Sequence, residues 1–86
     1  MTAKEMFEEL GYKQKIEYFR GERKRILYVT EHKYNTQFMF DVNNKMFNAY
    51  FKTDDGEEMP AWIEIKHLKA INKQIEELGW NNENNV

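Results

Sequence analysis

The chain contains no cysteine, and its 86 residues include only one proline and four glycines. Without cysteine it has no disulfide, no thiolate zinc ligand and no cysteine nucleophile. No apolar run approaches the ~20 residues that cross a bilayer as a helix. The opening residues, MTAKEMFEEL, lack the basic and then apolar pattern of a signal peptide. We therefore expect a cytoplasmic protein, and its length predicts a single domain.

Charge of either sign is present, but it is unevenly distributed. The net charge is −2, which argues against a dedicated DNA-binding protein. Residues 13–33 carry seven Lys or Arg side chains and three Glu, whereas residues 54–64 carry five carboxylates and no basic residue. This distribution predicts a domain with opposite charge at two ends, which would steer charged partners.

Two similar stretches, MFEELGY (residues 6–12) and QIEELGW (residues 74–80), predict two helices that end in the same way. Gly11 and Gly79 occupy the position after the C-cap, where the left-handed conformation suits glycine, and an aromatic residue follows each. Thr2 and Glu5 form a capping box that begins the first helix. The second helix is predicted over residues 65–78, with an apolar stripe spaced for one helix face, namely Leu68, Ile71, Ile75 and Leu78.

Four strand-like runs lie between the helices, at residues 15–20, 24–30, 34–42 and 46–52. Two-residue turns are predicted at Gly21-Glu22, His32-Lys33 and Asn43-Asn44. Together these turns would place Ile16 opposite Leu27, Leu27 opposite Phe38, and Phe40 opposite Phe47. The three registers agree, because they put one largely apolar set on one face: Ile16, Tyr18, Leu27, Val29, Phe38, Phe40, Phe47, Ala49 and Phe51.

These elements predict an α+β fold in the order αββββα. A four-stranded antiparallel meander carries the N-terminal and C-terminal helices on its apolar face. Residues 59–63 could add a short fifth strand or form an irregular entry to the last helix. Residues 1–80 form the predicted domain, and the polar residues 81–86 are expected to be a disordered tail.

The opposite face of the predicted sheet is the candidate interaction surface. A contiguous apolar patch there would mark a protein-binding or homodimer interface; the candidate residues are Phe19, Ile26, Tyr28, Met39 and Tyr50, with Arg23 and Lys24 of the basic hairpin. The alternative is a platform for single-stranded nucleic acid, in which aromatic rings stack on bases beside lysines: Lys15, Lys24, Tyr28, Tyr50 and Lys52. A third interpretation is that the last helix or the tail covers this face.

No catalytic, metal or cofactor motif is present, and we expect a protein that is not an enzyme. His32 and His67 are far apart in sequence, neither has a partner at ligand spacing, and both are expected to be solvated. The segment TDDGEE, residues 53–58, lacks the spacing of a calcium-binding loop and is expected to form an acidic surface turn.

The two ends, MTAKEMFEELGYKQ and LKAINKQIEELGW, resemble small proteins encoded by phages and prophages of low-GC Gram-positive bacteria. The resemblance covers about a third of the chain. It implies an accessory phage protein in the bacterial cytoplasm that binds a host protein or counters a host defence. The family has no assigned catalytic residues, so the resemblance transfers no functional residue to this chain, and a family does not fix a function.

Overall fold

The computed structural model describes residues 1–32 and 35–80. The predicted tail at 81–86 and part of the predicted His32-Lys33 turn lie outside these residues. Within them the elements follow the order helix, five strands, helix, which confirms the α+β fold. Neither of the two described helices has the length and apolar character needed to cross a membrane.

The first helix, α1, spans Ala3–Glu9 and is fixed at both ends as its sequence predicts. The Thr2 hydroxyl accepts a hydrogen bond from the Glu5 backbone N–H (3.1 Å), and the Glu5 carboxylate accepts one from the Thr2 N–H (2.8 Å). At the other end the Tyr12 N–H donates to the Phe7 carbonyl (3.0 Å) while Gly11 has a φ of +95°. The Tyr12 ring then contacts the Phe7 ring edge-on.

The last helix, α2, spans Ile65–Glu77 and ends in the predicted way, with Gly79 at a φ of +77°. Its buried face is rotated from the predicted stripe, because Leu68 is 38% exposed and His67 is only 5% exposed. The prediction of a solvated His67 was therefore wrong. The residues that α2 buries include two polar side chains: His67, Ala70, Ile71 and Gln74.

The five strands form one antiparallel sheet in chain order. They are β1 (Lys13–Phe19), β2 (Arg23–Val29), β3 (Gln37–Asp41), β4 (Met46–Lys52) and β5 (Glu58–Pro60). β5 settles the open question about residues 59–63, since a strand of three residues ends at Pro60 and the chain then runs without regular structure to α2.

The register of β3 with β4 is as predicted, with Phe40 opposite Phe47. The registers of β2 with both its neighbours differ from the prediction by one residue, since Ile26 lies opposite both Ile16 and Phe40. One cause lies in the β1–β2 hairpin, where Arg20 (φ +52°) takes a left-handed conformation together with Gly21 and lengthens the turn. The second lies in the bounds of β2 and β3, since β2 ends at Val29 and β3 begins at Gln37, three residues later than predicted.

A one-residue shift exchanges the two faces of a strand. Ile26 and Tyr28 therefore lie beneath the helices, at 5% and 0% exposure, and not on the outer face as predicted. Leu27 and Val29, which were predicted to lie in the core, point to the outer face instead. The other predicted members of the core face on β3 and β4 keep their side of the sheet.

The core forms where both helices pack on β2 and β3. The Phe7 ring of α1 stacks on the Tyr28 ring, with centroids 3.8 Å apart and planes 13° from parallel. The Tyr28 hydroxyl donates to Gln74 Oε1 of α2 and accepts from Gln14 Nε2 of β1 (3.0 Å). One side chain thus joins α1, β1 and α2, and its buried polar atom is paired as burial requires.

We predict that Tyr28→Phe destabilises the fold by about 1–3 kcal/mol, because it keeps the ring but leaves the buried Gln74 amide without its donor. The free energy of unfolding from urea titration measures this loss. The double variant Tyr28→Phe, Gln74→Leu removes both polar partners and should recover part of it. A Tyr28→Phe protein as stable as the wild type would contradict the buried network.

Candidate functional site

The outer face of the sheet, which points away from both helices, carries a small apolar centre inside a charged rim. Leu27, opposite Met39, forms the centre of the row that runs from Lys15 to Asn48. An open groove of about 430 Å³ lies along this face. The groove is lined by Lys15, Glu17, Arg25, Leu27, Val29, Thr30, Gln37, Met39, Asn48, Tyr50, Lys52 and Glu58.

The rim largely covers this apolar centre. Leu27 is 9% exposed and Tyr50 is 7% exposed, although neither α1 nor α2 covers this face. Burial raises the pKa of the Tyr50 hydroxyl, and the nearby Glu58 and Glu17 carboxylates raise it further. Long charged side chains can cover apolar surface with their stems. The outer face is therefore a mixed, mostly polar surface.

The structure separates the residues predicted to form one binding patch. Tyr28 and Ile26 belong to the core, and Lys24 lies on the helix side of β2, opposite Tyr18. Met39 and Tyr50 stay on the outer face as predicted, as do Lys15 and Lys52 of the nucleic-acid alternative. With Tyr28 buried and Tyr50 nearly so, the outer face offers little aromatic surface on which a base could stack.

Phe19 and the basic hairpin form a separate group at one end of the sheet. The guanidinium carbons of Arg25 and Arg20 lie 4.9 Å and 5.5 Å from the centroid of the Phe19 ring. Arg23 is within 3.8 Å of the Asp41 carboxylate. The hydrogen bonds from Asn44 to Asp41 are the main cause of the lowered pKa of that carboxyl group. These side chains bind one another and so leave less of the hairpin for a partner.

The most exposed large apolar side chain is one that the sequence reasoning did not select. Trp62, between β5 and α2, is 93% exposed, and Ile65 is 79% exposed. We call Trp62, Ile63 and Ile65 the Trp62 ridge. Exposed isoleucine and tryptophan so close together are unusual on a protein surface, where large apolar groups normally occur singly. The available signal was the Trp-Ile-Glu-Ile sequence that begins two residues after Pro60.

The backbone beneath the ridge is fixed to the sheet. The Ala61 N–H donates to the Ala49 carbonyl of β4 (3.1 Å), and the Thr36 hydroxyl donates to the Trp62 carbonyl (3.3 Å). Because these bonds hold the chain on both sides of the Trp62 α-carbon, the indole projects from a defined position. The backbone at this position is therefore already ordered, and a partner that covers the indole does not have to order it.

Carboxylates surround the ridge along the chain. The turn from Thr53 to Glu57 is closed by hydrogen bonds between these two residues, and Gly56 adopts a φ of +83° there. Glu58 begins β5 and Glu64 precedes α2, where its side chain makes no capping bond. Lys66 lies 3.2 Å from Glu64 and is the first basic residue after this acidic segment.

A cavity of about 380 Å³ opens beside Trp62, and His67 forms part of its wall together with Tyr12 and Thr36. The His67 ring packs edge-on against Phe38 (5.0 Å) and Tyr12 (5.7 Å). Its Nδ1 atom is buried and has no hydrogen-bond partner among the described residues. Burial lowers the pKa of His67, and nearby Glu64 and Lys66 act in opposite directions.

Within residues 1–32 and 35–80, no three His, Asp or Glu side chains are arranged to hold a metal ion. Comparisons of the chain with protein families, with curated proteins and with solved structures found no match. The resemblance to phage proteins therefore stays a prediction.

We predict that the free energy of unfolding falls as the pH is lowered from about 7 to about 5, because the unfolded imidazole takes up a proton near pH 6.5 while burial opposes protonation of His67 in the fold. The stability is complete above the unfolded pKa and decreases below it. Urea titrations at several pH values measure the change.

His67→Phe should reduce this pH dependence, and His32→Gln is the matched control that removes a histidine at an exposed position. Asp41 and Glu5 have lowered pKa values, so in the fold their carboxyl groups take up protons below this interval. An unchanged slope in His67→Phe would contradict the buried neutral imidazole.

Proposed function

We propose that this protein is a non-enzymatic binding module that engages a partner protein through the Trp62 ridge. The observation that supports the proposal most strongly is the exposed Trp62 indole on a backbone bonded to Ala49 and Thr36. Tryptophan is the residue most enriched among those that dominate binding energy at interfaces. A rigidly presented, solvent-exposed tryptophan has little value for folding and a large value for binding.

The charges around the ridge indicate the chemistry of the partner. Five carboxylates lie within residues 54–64; Glu58 precedes the ridge in the chain, and Glu64 lies between its two isoleucines. The partner should carry an apolar pocket for the indole, bordered by lysine or arginine. Such complementarity raises the association rate and excludes acidic competitors.

The same charges disfavour the nucleic-acid alternative at this surface. Phosphate groups would approach several carboxylates, whereas binding of nucleic acid depends on neutralisation by basic side chains. The predicted aromatic platform on the outer face has also lost Tyr28 to the core. A protein partner is therefore the function that the geometry supports best, and the resemblance to phage proteins makes a host protein the expected one.

The test is affinity capture from a nuclease-treated lysate of a low-GC Gram-positive bacterium, with the wild type compared with Trp62→Ala. Because Trp62 is 93% exposed, the variant should fold normally. Met46→Ala is the matched control, since Met46 is an exposed apolar residue at the start of β4, outside the ridge.

We expect one protein to be retained by the wild type and by Met46→Ala and lost with Trp62→Ala. With that protein purified, calorimetry should show binding weakened at least about 30-fold by Trp62→Ala, which corresponds to the 2 kcal/mol of a dominant interface residue. The affinity should also fall as salt is added. Equal retention by Trp62→Ala would contradict the proposal, and a partner retained only from a parallel lysate without nuclease treatment would favour nucleic acid.

A further inference from the structure

The two edges of the sheet differ in their capacity to accept another strand. β5 has three residues and ends in Pro60, which has no N–H to donate, so this edge is poorly suited to pairing. β1 has seven residues and contains no proline. β1 is therefore the edge at which a further strand could pair.

The register shows which backbone groups of β1 face outward. The Lys24 carbonyl accepts a hydrogen bond from the Val42 N–H (3.0 Å), so the even-numbered residues of β2 bond toward β3 and the odd-numbered ones bond toward β1. Odd-numbered residues of β1 pair with odd-numbered residues of β2. It follows that Gln14, Ile16 and Tyr18 direct their N–H and C=O groups to the open edge.

Apolar side chains are left uncovered along the same strand. Ile16 and Tyr18 lie on the helix side of the sheet but are 39% and 68% exposed. α1 covers the other end of β1, where Gln14 bonds to Tyr28 and Tyr28 stacks under Phe7. The helix side of β1 is therefore covered by α1 near Gln14 and exposed to solvent near Tyr18.

We propose that β1 pairs with β1 of a second copy of this chain, antiparallel, about a two-fold axis at Ile16. Ile16 then faces its own counterpart, Gln14 faces Tyr18, and Lys15 faces Glu17. The two five-stranded sheets become one continuous sheet with all the helices on one side. The covered Gln14 end of each copy brings its α1 toward the exposed Tyr18 of the other.

Charge selects this register over its neighbours. Hydrogen bonding requires even-numbered residues to face even-numbered residues, so alternative registers shift by two. The shift in one direction puts Lys15 opposite Lys15, and the shift in the other puts Glu17 opposite Glu17. The first of these shifts also brings Lys13 opposite Glu17, but it keeps the Lys15–Lys15 pair. Only the proposed register of these three puts opposite charges across the seam without any pair of like charges, at positions where side chains lie closest together. Within one copy Lys15 and Glu17 are already 3.4 Å apart, on the same face.

The test uses two charge reversals, Lys15→Glu and Glu17→Lys, with mass measured by light scattering after gel filtration. The wild type should form dimers as its concentration rises. Each single variant places like charges opposite one another at both ends of the seam and should be monomeric at concentrations where the wild type is dimeric. An equimolar mixture of the two variants should form heterodimers, because every position 15 then meets an opposite charge at position 17.

Ile16→Pro supplies a second arm, since it removes a donor that faces only the open edge and should give a folded monomer by circular dichroism. Trp62→Ala should dimerise like the wild type, which separates this interface from the Trp62 ridge. A wild type that stays monomeric at its highest soluble concentration would overturn the proposal. So would a dimer that neither charge reversal weakens, or variants that do not associate when mixed.

Discussion

The contact of Phe7 with Tyr28 fixes the arrangement of the rest of the molecule. The Tyr28 ring lies under α1, and its hydroxyl lies between Gln14 of β1 and Gln74 of α2. A tyrosine in this position must be buried with its hydroxyl paired, because an unpaired buried hydroxyl is costly. This requirement determines which side chains of β2 point toward the helices. Because β1 pairs with β2, it also determines which side chains of β1 do so.

The exposed surfaces follow from that facing. With Ile26 and Tyr28 turned inward, the outer face retains only a small apolar centre around Leu27 and Tyr50, which charged neighbours largely cover. Two groups of exposed isoleucine and aromatic side chains lie at the two margins of the sheet. One margin carries the Trp62 ridge after β5, and the other carries Ile16 and Tyr18 on β1. Both proposals place partners at these margins.

Local signals were sufficient to predict the elements whose formation depends on neighbouring residues. The capping box at Thr2, the left-handed Gly11 and the Asn43-Asn44 register each need only a few adjacent side chains. β2 was different, because residues 26–29 read Ile-Leu-Tyr-Val and are apolar in either alternation. With no periodicity to choose a face, the turn decided the prediction, and Arg20 in a left-handed conformation is a rare event for a residue with a Cβ.

The candidate site was missed for a related reason. Amphipathic spacing predicted that Leu68 is buried in α2 and did not predict that His67 is. The burial of His67 depends on the contacts of its ring with Tyr12 and Phe38, which are distant in sequence. Trp62 would be assigned to a core by composition alone. Its exposure results from the short β5 and from the bonds at Ala61 and Thr36, which no local pattern encodes.

The facing of β2 is the central claim, and proton NMR tests it most directly through nuclear Overhauser contacts between aromatic rings. The stack predicts strong contacts between the ring protons of Tyr28 and Phe7, with none from the Leu27 methyl groups to Phe7. The opposite result, with Leu27 in contact with Phe7 and Phe38 and with Tyr28 free of both, would contradict the account. It would return Tyr28 to the outer face and restore the aromatic platform there.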